Sequence, residues 1–251
     1  MKDAARDGVE GREAPGAAPI SGLPRRSLLR ALALWPLTSV AAPAWAQAAA
    51  AGEGLVAPNV CLLAPETTAG PFYFDPELLR ADIAEGRPGL PLELVLQVVD
   101  ADCRALEGVR VDVWHCDAAG NYSGYAQQGS DRALDTRGAT FMRGTQMADA
   151  EGVVRFRTVW PGWYRGRAPH VHYIVLLDRE RVLTSQFFFP DGVSESLYQS
   201  EPDYRGRAAQ QDTTNETDGI ARRAGRGAFA AVSRTGDGLR AALVVGVDPE
   251  A

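Results

Sequence analysis

The sequence contains almost no lysine, and it lacks the basic clusters typical of proteins that bind nucleic acids or anionic membranes. Lys2 is the only lysine, so arginine carries nearly all of the positive charge, and the chain of 251 residues has a formal net charge of −6. No cluster of basic residues with interleaved aromatic residues stands out. These features argue against nucleic acid and against anionic membrane surfaces as partners.

The sequence also lacks an apolar run of the roughly 20 residues that span a bilayer. Its longest apolar stretch comprises Leu28, Leu29 and the run Ala31 to Ala42, interrupted by Pro36. It follows the pair Arg25-Arg26 and precedes Ala44-Trp45-Ala46, whose small residues a signal peptidase reads. Residues 1–46 therefore predict an export signal of twin-arginine type with an N-terminal extension. The expected product is periplasmic or secreted, without stable membrane association. The alternatives are a generic secretory signal and an uncleaved anchor.

Cysteine is scarce, with only Cys61, Cys103 and Cys116. An odd number of cysteines in an exported chain predicts one disulfide and one free thiol, and the sequence leaves all three pairings open. The spacing resembles neither a zinc knuckle nor a Cys-x-x-Cys redox motif, so the cysteines do not indicate a metal site.

Beyond a small-residue linker at 47–60, residues 61–251 predict a single, mainly β domain. Alternating apolar residues and turn signals predict strands at Leu92–Val99, Val109–His115, Val153–Val159, His170–Leu177, Val182–Phe189 and Leu239–Val247. Seven or so short strands without regular strand–helix alternation favour a β-sandwich with long loops and one or two short helices.

Three further segments carry local predictions. Asp75-Pro76-Glu77 is typical of a helix start and predicts a short helix to about Glu85. Residues 123–144 are polar and predict a long loop with a function of its own. Residues 191–220 predict an irregular segment with one helical turn.

Histidine is as scarce as cysteine, yet His170 and His172 stand one residue apart. In a strand, residues two apart point to the same face, so both imidazoles are expected to face one point. Two partly exposed histidines on a sheet would give the same pattern. The third histidine, His115, lies in another predicted strand, and a copper or three-histidine zinc site would require it.

Tyrosine supplies other candidate ligands for a metal bound by this pair. Tyr164 follows the Pro161-Gly162 turn, and Tyr122 ends the segment "DAAGNY". A phenol with a pKa of about 10 loses its proton near neutral pH only to a strongly acidic metal such as ferric iron. Either tyrosine alone could equally be a packed aromatic residue with its hydroxyl hydrogen-bonded.

Four segments together resemble the intradiol ring-cleavage dioxygenases. They are "APETTAGPFYF", "VRVDVWHCDAAGNYSG", "DAEGVVRFRTVWPGWYRGRAPHVHY" and "LTSQFFFPDG". The resemblance implies a β-sandwich that binds Fe(III) through Tyr122, Tyr164, His170 and His172. It also implies a catalytic and substrate-binding arginine at Arg167 and, at Gln186, a second residue of the substrate pocket.

The resemblance further implies how such a site would work. A catechol would bind the iron through both oxygens while Tyr164 leaves, and O₂ would cleave the ring between the hydroxylated carbons to give a muconate-type diacid. Arg167 would stabilise negative charge developing in the ring. Arg165 has no counterpart and is expected to be a solvated surface residue.

The chain also departs from the family pattern. It has no long helical N-terminal dimerisation segment of the kind found in cytoplasmic catechol enzymes, and Gly166 replaces an aromatic residue of the protocatechuate enzymes. The particular catechol and assembly into a homodimer are therefore left open. A non-catalytic binding module of the same fold is the alternative function.

Overall fold

The computed structural model describes residues 62–75, 77–178 and 180–248. The predicted export signal at 1–46, the linker at 47–60 and Cys61 lie outside the described residues. Within these ranges the strands are, in chain order, β1 Pro91–Val99, β2 Arg110–Trp114, β3 Arg143–Met147, β4 Val153–Val159, β5 His170–Leu177, β6 Glu180–Phe188, β7 Ala231–Arg234 and β8 Leu239–Gly246.

The strands form two four-stranded sheets, in the orders β4-β1-β8-β7 and β3-β2-β5-β6. All pairs are antiparallel except β1 with β8, which is parallel. Both sheets contribute to one apolar core, as the alternating buried residues of β1 (Leu94, Leu96) and β5 (Val171, Val175) show. The predicted mainly β sandwich is confirmed.

The outward face of the second sheet carries the predicted ligands. In β5, Val171 and Tyr173 point into the core, so the period of two places His170 and His172 on the opposite face. Loops cover this face, because all residues of β5 as far as Val175 are buried. The strand pairs fix the neighbours of His172, which stands opposite Trp114 of β2 and Gln186 of β6.

The predicted helix from Asp75 to Glu85 is wrong. The described part of this segment is non-helical and pairs with the edges of both sheets, through Arg80 with Thr145 of β3 and through Ile83 with Arg157 of β4. The Asp75 carboxylate accepts from the backbone N–H of Glu77, which forms a local turn instead of capping a helix. Hydrogen bonding to the unpaired backbone groups of the two sheet edges is therefore favoured over the helix that the local sequence predicts.

The region after β6 is more helical than predicted. The described α-helices are α1 Asp191–Ser200, α2 Pro202–Arg205 and α3 Ala221–Ala224, with 3-10 turns at Ala208–Gln210 and Arg226–Ala228. The prediction of a single helical turn within 191–220 is wrong, since α1 alone has ten residues. Its buried Leu197 and Tyr198 show that packing against the core stabilises it.

The described cysteines match the prediction of one disulfide and one free thiol. Cys103 is disulfide-bonded, and Cys116 is a buried free thiol. Burial holds the pKa of the Cys116 thiol far above its ordinary value, so it stays protonated. In the described ranges, no helix combines the length and the apolar character that crossing a membrane requires.

Candidate metal centre

Two neutral imidazoles form the rigid half of the site. His170 and His172 are each 2% exposed, and their Nε2 atoms lie 3.1 Å apart. The Nδ1–H of His170 donates to the carbonyl of Ala168 at 2.6 Å, because a carbonyl can only accept. The lone pair of the neutral ring is then on Nε2, which faces the other predicted ligands.

Two phenols complete the group from separate loops. The Tyr122 hydroxyl lies 3.3 Å from His170 Nε2, the Tyr164 hydroxyl lies 3.1 Å from the same atom, and the two hydroxyl oxygens are 3.4 Å apart. Tyr122 is fully buried, whereas Tyr164 is only partly buried. The backbone N–H of Tyr122 donates to the Gln128 side chain, which secures this residue within its loop.

These separations fit a metal ion. Ligand atoms about 2.0–2.1 Å from one metal, at right or tetrahedral angles, stand roughly 2.9–3.4 Å apart. The four separations given above, 3.1–3.4 Å, fall in that range. Two ionisable oxygens and two imidazole nitrogens match a hard, strongly acidic cation better than Mg²⁺ or Ca²⁺, which prefer carboxylates. The donor set therefore fits ferric iron.

Burial keeps all four groups neutral when no cation compensates them. It lowers the pKa of His170 to about 3, with a further lowering from Arg167, and holds the pKa of His172 well below its ordinary value. It raises the pKa of Tyr164 to about 12 and that of Tyr122 well above 10. A bound trivalent ion reverses this balance for the phenols and favours their ionised form.

A fixed guanidinium stands beside the cluster. Nη1 of Arg167 lies 3.5 Å from the Tyr164 hydroxyl and 3.4 Å from His170 Nε2. Its Nη2 donates to Gln186 Oε1 at 2.6 Å, and its Nε donates to Asp218 Oδ2 at 2.8 Å. Gln186 in turn donates through Nε2 to the Thr68 carbonyl at 2.7 Å, so both ends of its amide are engaged.

Asp218 is a site residue that sequence reasoning missed. Its side chain is fully buried and accepts from Arg167 and from the backbone N–H groups of Ala168, Ile220 and Ala221. Burial alone would raise its pKa, but these hydrogen bonds and the guanidinium bring the pKa below its ordinary value. It lies in an irregular segment where no periodic pattern marks it.

Aromatic rings support the ligands from behind. The Trp114 ring stacks on His172 at 4.8 Å between centroids, with 9° between planes, and Phe72 stacks on Tyr122 at 4.5 Å. Phe72 belongs to the segment "APETTAGPFYF", which resembles the family but was not predicted to lie at the site. Rings packed in this way limit the rotation of both ligands.

His115 stands apart from this centre. Its Nδ1–H donates to the Cys116 carbonyl at 2.8 Å, and its Nε2 lies 2.8 Å from the Thr158 hydroxyl, so both ring nitrogens are engaged. In the described part of the chain, no group of three or more His, Cys, Asp or Glu side chains is placed to hold a metal. The structure thus gives no support to a zinc or copper site built on His115.

A cleft of about 550 Å³ opens beside the two tyrosines. Its walls come from the loops around 119–122, 127–132 and 163–165 and from residues 207–212. The loop predicted to have a function of its own therefore contributes to this cleft. Arg165, expected to be a solvated surface residue, is exposed and lines the cleft as well.

The structure brings together all six predicted site residues: Tyr122, Tyr164, Arg167, His170, His172 and Gln186. Their chemical roles stay predictions, since proximity alone does not assign a role. Sequence reasoning gave Gln186 a place in the substrate pocket, whereas its contacts tie it to Arg167 and Thr68.

Known proteins resemble this chain in sequence. A family model described as Dioxygenase matches residues 69–200, more than half of the chain. The catechol 1,2-dioxygenase of Acinetobacter baylyi is 30% identical over 145 residues, which cover 49% of this chain and 45% of that protein. The protocatechuate 3,4-dioxygenase beta chain of Burkholderia cepacia is 30% identical over 160 residues, covering 57% of this chain and 66% of that one. The matched part thus spans about half of the catechol enzyme's length.

The fold has a similar counterpart among solved structures. An intradiol ring-cleavage dioxygenase from Tetranychus urticae superposes with a TM-score of 0.68 at 29% identity. The superposition covers 75% of this chain and 96% of the mite protein. The similarity therefore includes nearly the whole of that protein.

Proposed function

Because the chain belongs to the intradiol dioxygenase family, we propose that it is an Fe(III) enzyme that cleaves a catechol-type ring with O₂. The expected product is a muconate-type diacid. The observation that carries the proposal is the position of His170 Nε2, which lies 3.1–3.3 Å from both phenol oxygens and 3.1 Å from His172 Nε2, with the two phenol oxygens 3.4 Å apart. The neighbouring guanidinium of Arg167 adds a group suited to developing negative charge.

Tyr122, Tyr164, His170 and His172 are the residues that would hold the iron. When bound, ferric iron would act as a Lewis acid on the substrate oxygens and make the ring reactive toward O₂. Tyr122 and the two histidines are buried and tied to β5 or to a hydrogen-bonded loop, so they suit permanent ligands.

Tyr164 suits a ligand that leaves when substrate arrives. It is less buried than the other three, and it lines the cleft on a loop outside the sheets. A catechol must lose its hydroxyl protons to bind as a dianion. In this proposal the Tyr164 oxygen would accept one of the two protons and turn toward the cleft, and the other proton would pass to solvent through the cleft.

Arg167 would face the ring and stabilise the negative charge that builds on it as O₂ adds. Its orientation is set from two sides, by the Asp218 carboxylate at Nε and by the Gln186 amide at Nη2. Since both ends of the Gln186 amide are already hydrogen-bonded, we assign this residue the role of orienting Arg167 within the substrate pocket.

The test uses the purified protein loaded with iron in air. We expect about one iron per chain, a visible absorption band from tyrosinate bound to Fe(III), and O₂ uptake with at least one catechol. Mass spectrometry after reaction with ¹⁸O₂ should show both oxygen atoms in the ring-opened diacid. A colourless protein that takes up no iron would instead favour the non-catalytic binding module.

Variants test the ligand assignment. Tyr122→Phe and His172→Ala should lose iron and the visible band. Tyr173→Phe is the matched control, because this tyrosine neighbours His172 but points into the core, and it should retain iron. Full turnover of catechol by either ligand variant would show that the assignment is wrong.

We also infer that residues 1–46 direct export through the twin-arginine route to the periplasm or medium. The support is the Arg25-Arg26 pair, the short apolar stretch and the small residues Ala44 and Ala46. Cell fractionation with N-terminal sequencing should find the shortened protein outside the cytoplasm. If replacing both arginines with lysine does not reduce export, the route is wrong.

A further inference from the structure

The cleft beside Tyr122 and Tyr164 has a charge pattern that the proposed ring chemistry does not use. Three arginines line it, Arg132, Arg165 and Arg207, and the only acidic residue among its lining is Asp212. This surplus of two positive charges occurs in a chain whose net charge is −6. A bare catechol is uncharged on arrival and gives these cations no partner.

Two of the arginines are available to a ligand. Arg132 and Arg165 are both exposed, and neither forms an ion pair with another described residue. Arg207 is held in place, since its guanidinium lies 4.3 Å over the Trp163 ring and donates to the Trp163 carbonyl at 3.0 Å. Arg207 thus adds positive charge to the wall, while Arg132 and Arg165 can turn toward a bound anion.

The acidic residue offsets only one of the three positive charges. The Asp212 carboxylate accepts from the Thr213 hydroxyl at 2.6 Å and from the backbone N–H of Gly166 at 3.1 Å. Both hydrogen bonds are accepted by the same carboxylate oxygen, Oδ1. Gly166 itself has no atom within 4 Å of the position that a Cβ would take, so the space beside Arg165 is open.

The cleft is graded from its buried end to solvent. Its lining runs from the fully buried Tyr122 to the exposed Arg132 and Arg165. The lining includes Phe72 and Trp163, and the volume of about 550 Å³ exceeds what one aromatic ring fills. A ring held at the tyrosines therefore leaves the outer part of the cleft for a substituent.

We propose that this site selects catechols bearing a carboxylate on a short side chain, with the ring at the tyrosines and the carboxylate at Arg132 and Arg165. The inference rests on the proposed function and narrows its substrate class. Guanidinium groups suit carboxylates because their N–H groups match the two oxygens. The exposed setting limits each contact to a few-fold in affinity, or roughly tenfold for the pair.

The experiment compares two catechols that differ in the acid group. We would measure kcat/KM for 3-(3,4-dihydroxyphenyl)propanoate and for neutral 4-methylcatechol, and take the ratio of the two. The ratio should exceed one in the native protein and fall roughly tenfold in the double variant Arg132→Gln, Arg165→Gln. Raising the ionic strength should lower the ratio in the native protein and have little effect on it in the double variant.

Arg137→Gln is the matched control. Arg137 lies in the same loop region as Arg132 and is exposed, but it pairs with Asp135 and does not line the cleft. It should leave the ratio unchanged. A native ratio of one or less, an unchanged ratio in the double variant, or an equal fall in Arg137→Gln would overturn the inference.

Binding without turnover separates this inference from the proposed function. Calorimetry with 3-(4-hydroxyphenyl)propanoate and with 4-ethylphenol, neither of which is a catechol, measures the contribution of the acid to affinity. The acid should bind more tightly to the native protein and lose that advantage in the double variant. If the iron-loaded protein cleaves no catechol, the proposed function fails, and the same calorimetry still decides whether the cleft binds acids.

Discussion

Replacing Asp218 with asparagine tests whether a buried carboxylate sets the position of Arg167. The substitution keeps the size of the side chain but removes the charge that meets Arg167 Nε at 2.8 Å. In the native protein each carboxylate oxygen accepts two hydrogen bonds: one oxygen from Arg167 and Ala168, the other from Ile220 and Ala221. Asparagine replaces one of these oxygens with an NH₂ group, which cannot accept them. Two N–H donors of the surrounding protein then face the NH₂ donor of the asparagine.

The expected cost follows from these contacts. Hydrogen bonds to charged groups are worth about 1.5–3 kcal/mol, and Asp218 is fully buried, although Arg167 is partly exposed and so retains some hydration. We expect the free energy of unfolding to fall by about 2–3 kcal/mol. A guanidinium freed from one anchor should lower kcat by roughly tenfold to a hundredfold, since misplaced electrostatic groups typically lose activity on that scale.

The assay combines denaturant unfolding, iron content and steady-state kinetics. Iron content and the visible band should stay close to those of the native protein, because Asp218 contacts none of the proposed ligands through its side chain. The control is Asp135→Asn, which breaks an exposed pair between two side chains and should change neither stability nor kcat appreciably. If Asp218→Asn keeps native kcat, Arg167 does not depend on this anchor and the reasoning is refuted.

The remaining predictions concern two buried rings. Burial lowers the pKa of His115 from 6.5 to about 4, so the unfolded chain binds the proton more readily and stability declines as the pH falls from 6.5 toward 4. At pH 5 the free energy of unfolding is lower by about 2 kcal/mol for this reason. In urea titrations His115→Gln should not show this loss, and the variant should still bind iron. Loss of iron from the variant would instead support a metal site that includes this histidine. Trp114→Leu removes the ring stacked on His172 and should speed iron release to a chelator about tenfold. Trp160→Leu, another buried tryptophan, should lose stability but not iron affinity; equally fast release from both would refute a specific role for Trp114.

The histidine pair could be predicted from sequence because strand geometry has a period of two, and β5 spans the predicted residues. The tyrosines needed the family resemblance, since Tyr122 reaches His170 across 48 residues of chain. No local pattern encodes the pairing of Gln186 with His172, which follows from the register of the β5–β6 hairpin and its irregularity at Val175/Leu176.

The errors have a shared physical origin. The Asp75-Pro76-Glu77 signal is local, whereas the edges of β3 and β4 are brought beside the segment only by the folded sandwich. Asp218 was missed for the same reason, because its partners Arg167 and Ala168 are about 50 residues away in the chain. Contacts with residues distant in the chain determine the structure at both places, and such contacts are hard to predict from a single sequence.

The division of the site between sheet and loops bears on how such proteins can diversify. His172 and Gln186 are fixed by strand register, and a one-residue slip would turn both away from the site. Arg132, Arg165 and Gly166 lie in loops, where insertions and exchanges leave the sheet pairing intact. Descendants of this chain can therefore acquire new substrate preferences by loop exchange while inheriting the metal-binding strand unchanged.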